Sequence, residues 1–244
     1  MSEFVPPIVE GPLPVAQPRQ LINPTRQRWF EVSLVLLVAV VPAVLSALYI
    51  LKGGPSIAPP MSNARWLAGL GQEITGLLLL GYVLSRRNLR LKDLGVRWSL
   101  QDAGVGLVVA GASFAAYVLG SMIVYVVQYW MYGSIAVGPS GKDFFAHPGV
   151  AIIPFCLLNP FFEELIVRAY LMTEVLDLTG SSVLAVAFSV AVQFSYHLYY
   201  GWAGATSLSV LFLVFAIYYV RTRRALPIIV AHAVFDVYAL IRLW

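Results

Sequence analysis

Residues 159–168 read Asn-Pro-Phe-Phe-Glu-Glu-Leu-Ile-Val-Arg, and they lie inside a long apolar stretch, 149–178. A stretch of this length and composition predicts a helix that crosses a lipid bilayer. A charged side chain at membrane depth costs on the order of 3 kcal/mol, so charges in such a helix indicate a functional site. Glu163, Glu164 and Arg168 are therefore the first candidates for a polar site within the membrane.

The composition of the whole chain is that of a membrane protein. Of its 244 residues, 59% are hydrophobic and 11% are charged. Soluble domains contain roughly 25% charged residues. The net charge of +4 is small, and the basic residues cluster in short loops, so we expect a lipid bilayer around the chain and no nucleic-acid partner. A single cysteine, Cys156, excludes an internal disulfide framework.

Apolar segments long enough to span a bilayer recur along the chain, which predicts an all-α, polytopic transmembrane helical bundle. The count is about seven crossings, with six to eight compatible with the pattern. The segments are Trp29–Leu51, Arg65–Leu84, Ala103–Met131, Gly149–Leu178, Ser182–Tyr200, Ala203–Val220 and Leu226–Leu240. Before them, residues 1–28 are rich in proline and are predicted to be a disordered tail, which leaves 29–244 as the transmembrane domain.

Basic residues favour one orientation of the bundle. Arg26 and Arg28 precede the first segment, and further arginines follow the second and the sixth. The positive-inside rule then predicts a multi-pass protein of the cell membrane with a cytoplasmic amino terminus.

The fourth segment has two possible starts. Asn159 and Pro160 could form a helix N-cap and first residue, which would put Glu163 near the outer face. His232 lies early in the last segment, near the cytoplasmic end, so the two groups would then differ in depth. A start near Gly149 instead moves Glu163 to the middle of the membrane.

Two further polar clusters follow in the apolar second half. Gln193 and His197 are four residues apart, as are His232 and Asp236, so each pair shares a helical face. A carboxylate and two histidines from three helices suit activation of water by a general base and stabilisation of an oxyanion.

Glu164 and Arg168 are also four residues apart and can form an ion pair, whereas Glu163 points about 100° away from Glu164. One glutamate can therefore be neutralised while its neighbour serves as a base. Three other acidic residues are less informative. Glu73, in the middle of the second segment, either lines the cavity or pairs with an arginine, and Glu174 and Asp177 are expected at the membrane interface.

Taken in order, Glu-Glu-x-x-x-Arg, a helix ending in histidine, and His-x-x-x-Asn or Asp resemble the pattern of the CPBP intramembrane proteases. That family includes type II CAAX-prenyl endopeptidases and bacterial Abi-type proteins linked to bacteriocin processing and immunity. The resemblance covers about residues 150–240. It implies glutamate-type hydrolysis of a peptide bond, with no metal or other cofactor, in a membrane-associated peptide or protein.

The resemblance also implies a role for each motif residue. Glu163 matches the glutamate that activates water, assisted by His197. Glu164 and Arg168 match a supporting ion pair. His232 and Asp236 match the pair that holds the scissile carbonyl oxygen.

Two positions depart from the family's pattern. Gln193 stands where phenylalanine is usual, and Asp236 stands where asparagine is often found. An ionised aspartate cannot donate a hydrogen bond to an oxyanion, so Asp236 must be protonated or must orient His232 instead.

Other functions remain compatible with the same residues. One is a non-catalytic immunity or binding protein of the same fold. Another is a zinc-dependent membrane protease with Glu163, His197 and His232 as ligands. A proton-coupled transporter would also use buried glutamate and histidine. The sequence does not choose between a prenylated CAAX-type and a bacteriocin-like substrate, and it does not give the oligomeric state.

Overall fold

The structure, a computed structural model, describes residues 25–53, 62–135 and 149–243. Within these ranges the chain is almost entirely helical and has no β-strand, which confirms the predicted all-α bundle. The α-helices are α1 (Thr25–Ala39), α2 (Val41–Gly53), α3 (Asn63–Arg86), α4 (Leu100–Tyr132), α5 (Ile152–Glu163), α6 (Leu171–Thr179), α7 (Ser182–Tyr196), α8 (Gly201–Thr222) and α9 (Leu226–Leu243). A π-helix, Glu164–Tyr170, joins α5 to α6, and short 3-10 helices occupy Leu91–Leu94 and Leu198–Tyr200.

Three helical segments of the described chain are long and apolar enough to cross a membrane: Asn63–Arg86, Leu100–Tyr132 and Leu198–Thr222. Helices α1 and α2 pass the same test as a pair, but they bend by 47° relative to each other, as in a broken span or a re-entrant loop. Helix α7 is apolar but has only 15 residues. The prediction of about seven crossings is therefore not confirmed.

Two predicted helix starts shift in the structure. Helix α1 begins at Thr25, so residues 25–28 of the predicted tail are helical, whereas residues 1–24 lie outside the described ranges. The prediction that Asn159 caps a helix starting at Pro160 is wrong, because α5 begins at Ile152 and contains both residues. Pro160, which has no N–H to donate, therefore lies inside α5. The Asn159 side chain does not cap the helix and is available for a contact with another helix.

Helix α4 packs closely against α8 and α9 at glycine positions. A Cβ atom added at Gly106 would lie 2.7 Å from Cβ of Val230, and one added at Gly120 would lie 2.8 Å from a methyl group of Val210. Small residues allow helix backbones to approach in a membrane, where apolar burial alone does not drive association. This packing fixes the position of α9, which carries His232.

The turn between α8 and α9 is held by the segment around Leu94. The backbone N–H of Ala225 donates to the carbonyl of Gly95 at 3.0 Å. The hydroxyl of Tyr219, on α8, lies 3.2 Å from the carbonyl oxygen of Leu94 and 3.1 Å from that of Ala169 in the π-helix. These hydrogen bonds connect the start of α9 to the π-helix. They hold the helix that carries His232 beside the segment that carries Glu164 and Arg168.

Candidate active site

The end of α5 and the start of the π-helix place two consecutive carboxylates around one imidazole. Oε1 of Glu164 lies 2.8 Å from Nδ1 of His232, and Oε2 of Glu163 lies 4.0 Å from Nε2 of the same ring. A π-helix has a wider turn than an α-helix and occurs frequently at functional sites. Glu163, the last residue of α5, and Glu164, the first residue of the π-helix, therefore lie at different nitrogens of the His232 ring.

Glu164 and Arg168 form the most deeply buried part of the site. Both side chains are fully buried, and Nε of Arg168 lies 3.4 Å from Oε2 of Glu164. The guanidinium also lies 4.7 Å from the centre of the Phe212 ring, which suits a cation–π contact. Glu164 thus has a cation on one side and His232 on the other, so its charge is compensated within the protein.

Glu163 is held by two hydrogen-bond donors from α7. Nε2 of Gln193 donates to Oε2 of Glu163 at 2.7 Å, and the hydroxyl of Tyr196 donates to the same oxygen at 2.8 Å. Among the described residues, none donates to the other oxygen, Oε1. The side chain is 10% exposed, so this carboxylate is fixed in direction and retains one oxygen for a ligand or water.

Gln193, the residue that departs from the family's pattern, connects the parts of the site. Its amide oxygen accepts a hydrogen bond from Nη1 of Arg168, while its amide nitrogen donates to Glu163. Its backbone carbonyl lies 2.9 Å from Nδ1 of His197. A carbonyl only accepts, so Nδ1 of His197 carries a proton and the neutral ring keeps its lone pair on Nε2.

His232 and Asp236 lie on the same face of α9, as their spacing predicts. Nε2 of His232 is 3.7 Å from Oδ1 of Asp236, which is longer than a hydrogen bond. Oδ2 of Asp236 accepts a hydrogen bond of 3.1 Å from Nδ2 of Asn159. The gap beside Nε2 of His232 is therefore bordered by the carboxylates of Glu163 and Asp236.

Three further residues lie near the site: Tyr196, Asn159 and Glu73. The sequence assigns no site role to Tyr196 or Asn159, and for Glu73 it leaves open a position at the cavity or a pair with an arginine. Asn159 is four residues before Glu163, a spacing that could have placed it on the same face. Glu73 is 3% exposed and interacts electrostatically with Glu163, Asp236 and His232. For Tyr196 the sequence offers no signal beyond its position next to His197.

The predicted zinc set is only partly assembled. Ligand atoms of Glu163, Glu164 and His232 lie within 4.8 Å of one another and could hold a metal ion. His197 is not in this group, so the set differs from the predicted one. Each of the three side chains already has a protein partner, since Glu163 accepts from Gln193 and Glu164 contacts His232. Oε2 of Glu164 nevertheless has no hydrogen-bond partner among the described residues, so this group keeps an acceptor for a ligand.

Comparison with known families supports the resemblance to the CPBP and CAAX-protease class. The apolar helices together with this match point to an integral membrane protein. More specifically, residues 145–238 match the family model described as "Type II CAAX prenyl endopeptidase Rce1-like". This supports an intramembrane protease with a peptide substrate at the level of the family. No curated protein and no solved structure matches the chain.

Proposed function

We propose that this protein is an intramembrane endopeptidase in which Glu163 activates a water molecule. The observation that carries the proposal is the position of the Glu163 carboxylate, fixed by Gln193 and Tyr196 and 4.0 Å from Nε2 of His232. A base with one anchored oxygen and one available oxygen can orient water beside a group able to bind a carbonyl oxygen. The family match supports the class of reaction.

The proposed reaction begins with proton transfer from water to Glu163 as the water oxygen attacks the scissile carbonyl carbon. The carbonyl becomes a tetrahedral oxyanion, which Nε2–H of a protonated His232 stabilises. Collapse of this intermediate breaks the carbon–nitrogen bond, and Glu163 returns the proton to the departing nitrogen. The products are a new carboxyl terminus and a new amino terminus, and no metal or cofactor takes part.

His197 is proposed to help hold the water. Its Nδ1–H is directed to the backbone carbonyl of Gln193, which leaves Nε2 as an acceptor. The same residue, Gln193, donates its side-chain amide to Glu163, so one residue of α7 contacts both groups. An imidazole whose other nitrogen is fixed by a carbonyl has a defined tautomer and direction.

Asp236 is proposed to orient His232 and not to donate to the oxyanion. It accepts a hydrogen bond from Asn159 and has a second oxygen 3.7 Å from Nε2 of His232. Glu164 fixes the other ring nitrogen at 2.8 Å, and Arg168 compensates Glu164. In this arrangement the oxyanion is bound by His232 alone among the motif residues of α9.

The proposed substrate is a membrane-associated peptide or protein, either a prenylated CAAX-type sequence or a bacteriocin-like peptide. The proposed location is the cell membrane, with a cytoplasmic amino terminus. A non-catalytic immunity or binding protein is the competing function, because the same polar groups could bind a peptide without cleaving it.

The test compares peptide termini in membrane fractions from cells that express the native chain or Glu163→Gln. This substitution keeps the size of the side chain and removes the base. Glu31→Gln is a matched control, since Glu31 is a buried carboxylate of α1 that contacts Gln27 outside the site. We expect new termini with the native chain and the control, and none with Glu163→Gln. Identical termini in all three samples, at equal expression and insertion, would exclude proteolysis and favour the binding protein.

A chelator separates the zinc alternative from the proposed reaction. We expect the purified protein to generate the same termini in the presence and absence of a zinc chelator. Loss of cleavage in the chelator, with recovery on adding zinc, would assign Glu163, Glu164 and His232 to a metal instead.

A further inference from the structure

Helices α3 and α5 pack with a constant register. A Cβ atom added at Gly69 would lie 2.9 Å from the ring of Phe155, and one added at Gly76 would lie 2.7 Å from the ring of Phe162. Both pairs differ by 86 in residue number, 155 less 69 and 162 less 76. Glu73 lies between the two glycines on the same helical face, so this register sets it opposite Asn159.

Glu73 is a buried carboxylate with an unused acceptor atom. It is 3% exposed, and its Oε2 has no hydrogen-bond partner among the described residues. Its electrostatic interactions are with Glu163, Asp236 and His232. The register of α3 and α5 therefore sets Glu73 opposite Asn159, whose side-chain amide donates to Asp236.

The cluster has more carboxylates than cations. Glu73 joins the three acidic residues already described there, whereas the basic groups around them are Arg168, which is occupied by Glu164 and Gln193, and the two histidines. A buried carboxylate is unfavourable as an anion when it has no partner, and a group of carboxylates favours a ligand of positive charge. A cation that enters beside Glu73 would supply the missing partner.

We propose that Glu73 is a specificity-determining residue that binds the cationic side chain of a lysine or arginine close to the scissile bond of the substrate. This inference rests on the proposed endopeptidase function and adds a substrate class to it. The ammonium or guanidinium group donates hydrogen bonds to the open oxygen of Glu73, and charge-assisted bonds of this kind are roughly twice as strong as neutral ones.

The test uses the peptide that the comparison of termini identifies as cleaved. Versions of this peptide carry lysine, norleucine or glutamate at each position beside the cleaved bond, and kcat/KM is measured with the purified full-length protein. We expect a lysine at one position to raise kcat/KM about tenfold or more over norleucine, as one charged hydrogen bond allows. In Glu73→Gln the ratio of lysine to norleucine falls to near one, while the control Glu31→Gln keeps the native ratio.

A second variant keeps the experiment informative if Glu73→Gln does not fold. Glu73→Asp retains the charge but withdraws it by one carbon, so we expect a lysine preference between those of the native protein and Glu73→Gln. An equal ratio in the native protein and the Glu73 variants would overturn the specificity inference and leave the endopeptidase intact. Absence of cleavage of every peptide by the native protein would instead overturn the proposed function and the inference with it.

Discussion

Two acidic residues ten positions apart, Glu174 and Glu164, are both buried and both contact arginine, but their surroundings differ. Each oxygen of Glu174 has its own guanidinium: Oε1 lies 2.6 Å from Nη1 of Arg87, and Oε2 lies 2.8 Å from Nε of Arg28. These bonds join α6 to α3 and α1. The Glu174 cluster, defined as Glu174 with Arg28, Arg87 and Asp177, therefore has its acceptors satisfied by the protein.

The cluster around Glu164 is not satisfied in the same way. Oε2 of Glu164, and Nε and Nη2 of Arg168, have no hydrogen-bond partner among the described residues, although the two side chains are within ion-pair distance. Oε2 of Glu73 also accepts no hydrogen bond from the described residues. Buried polar atoms are nearly always paired in proteins, and exceptions need an explanation. The difference indicates that the Glu174 cluster stabilises the fold, whereas the Glu164 cluster keeps capacity for a ligand.

The largest expected effect comes from breaking the ion pair of the site. Arg168→Met leaves Glu164 buried without its cation, which costs about 3–5 kcal/mol. We expect poor folding and complete loss of cleavage, measured by thermal unfolding in detergent and by the termini assay. Arg168→Lys is the comparison variant, because it keeps the charge but not the planar donor group that contacts Gln193. A stable, active Arg168→Met protein would contradict the assignment of this pair.

The next effect tests whether Gln193 organises the base. Gln193→Leu removes the donor to Glu163 and the acceptor for Arg168 at similar volume, so we expect kcat to fall about 100-fold with a small change in KM. Ser189→Ala is a matched control, since Ser189 is a buried polar residue of the same helix. Its kcat should equal that of the native protein. Native kcat in Gln193→Leu would reduce Gln193 to a packing role.

Much of the fold could be predicted from sequence, for a physical reason. The bilayer requires long apolar helices, so apolar runs mark their positions: the structure has helix in each of the seven predicted segments. The number of crossings does not follow, because α1 and α2 bend against each other and α7 is short. A hydrophobic run reports that a helix is buried in lipid or protein, not that it reaches both faces.

The site was predictable as a set of residues but not as a set of contacts. The four-residue spacing of Glu164 and Arg168 indicated their pairing, and that of His232 and Asp236 their common face. The contact of Glu163 and Glu164 with the two nitrogens of one His232 ring does not follow from the sequence, because it depends on how α9 packs against this segment and not on the spacing of residues along the chain. The position of Glu73 depends on the packing register of α3 and α5, which no local pattern in the sequence encodes.

A third prediction concerns the Glu174 cluster and has a smaller effect. Arg87→Met removes one charged hydrogen bond from a carboxylate that Arg28 still partners, so we expect a loss of about 1.5–3 kcal/mol in the free energy of unfolding. Because Arg87 lies outside the site, kcat and KM should be unchanged. A fall in kcat at a temperature where the variant is fully folded would show that the Glu174 cluster is coupled to the reaction.

The smallest expected effect is that of Asp177, and it tests whether burial or charge accounts for the stability of the Glu174 cluster. Asp177 contacts Nη2 of Arg28 at 3.2 Å, but its side chain is 48% exposed, whereas that of Glu174 is 2% exposed. Asp177→Asn should lower the free energy of unfolding by less than about 1 kcal/mol, and added salt should reduce the difference further because exposed pairs are screened. Unfolding is compared with Arg87→Met at low and high salt. If Asp177→Asn lowers the free energy of unfolding as much as Arg87→Met does, the stabilisation comes from the number of ion pairs and not from their burial. The contrast with the Glu164 cluster would then have to rest on geometry alone.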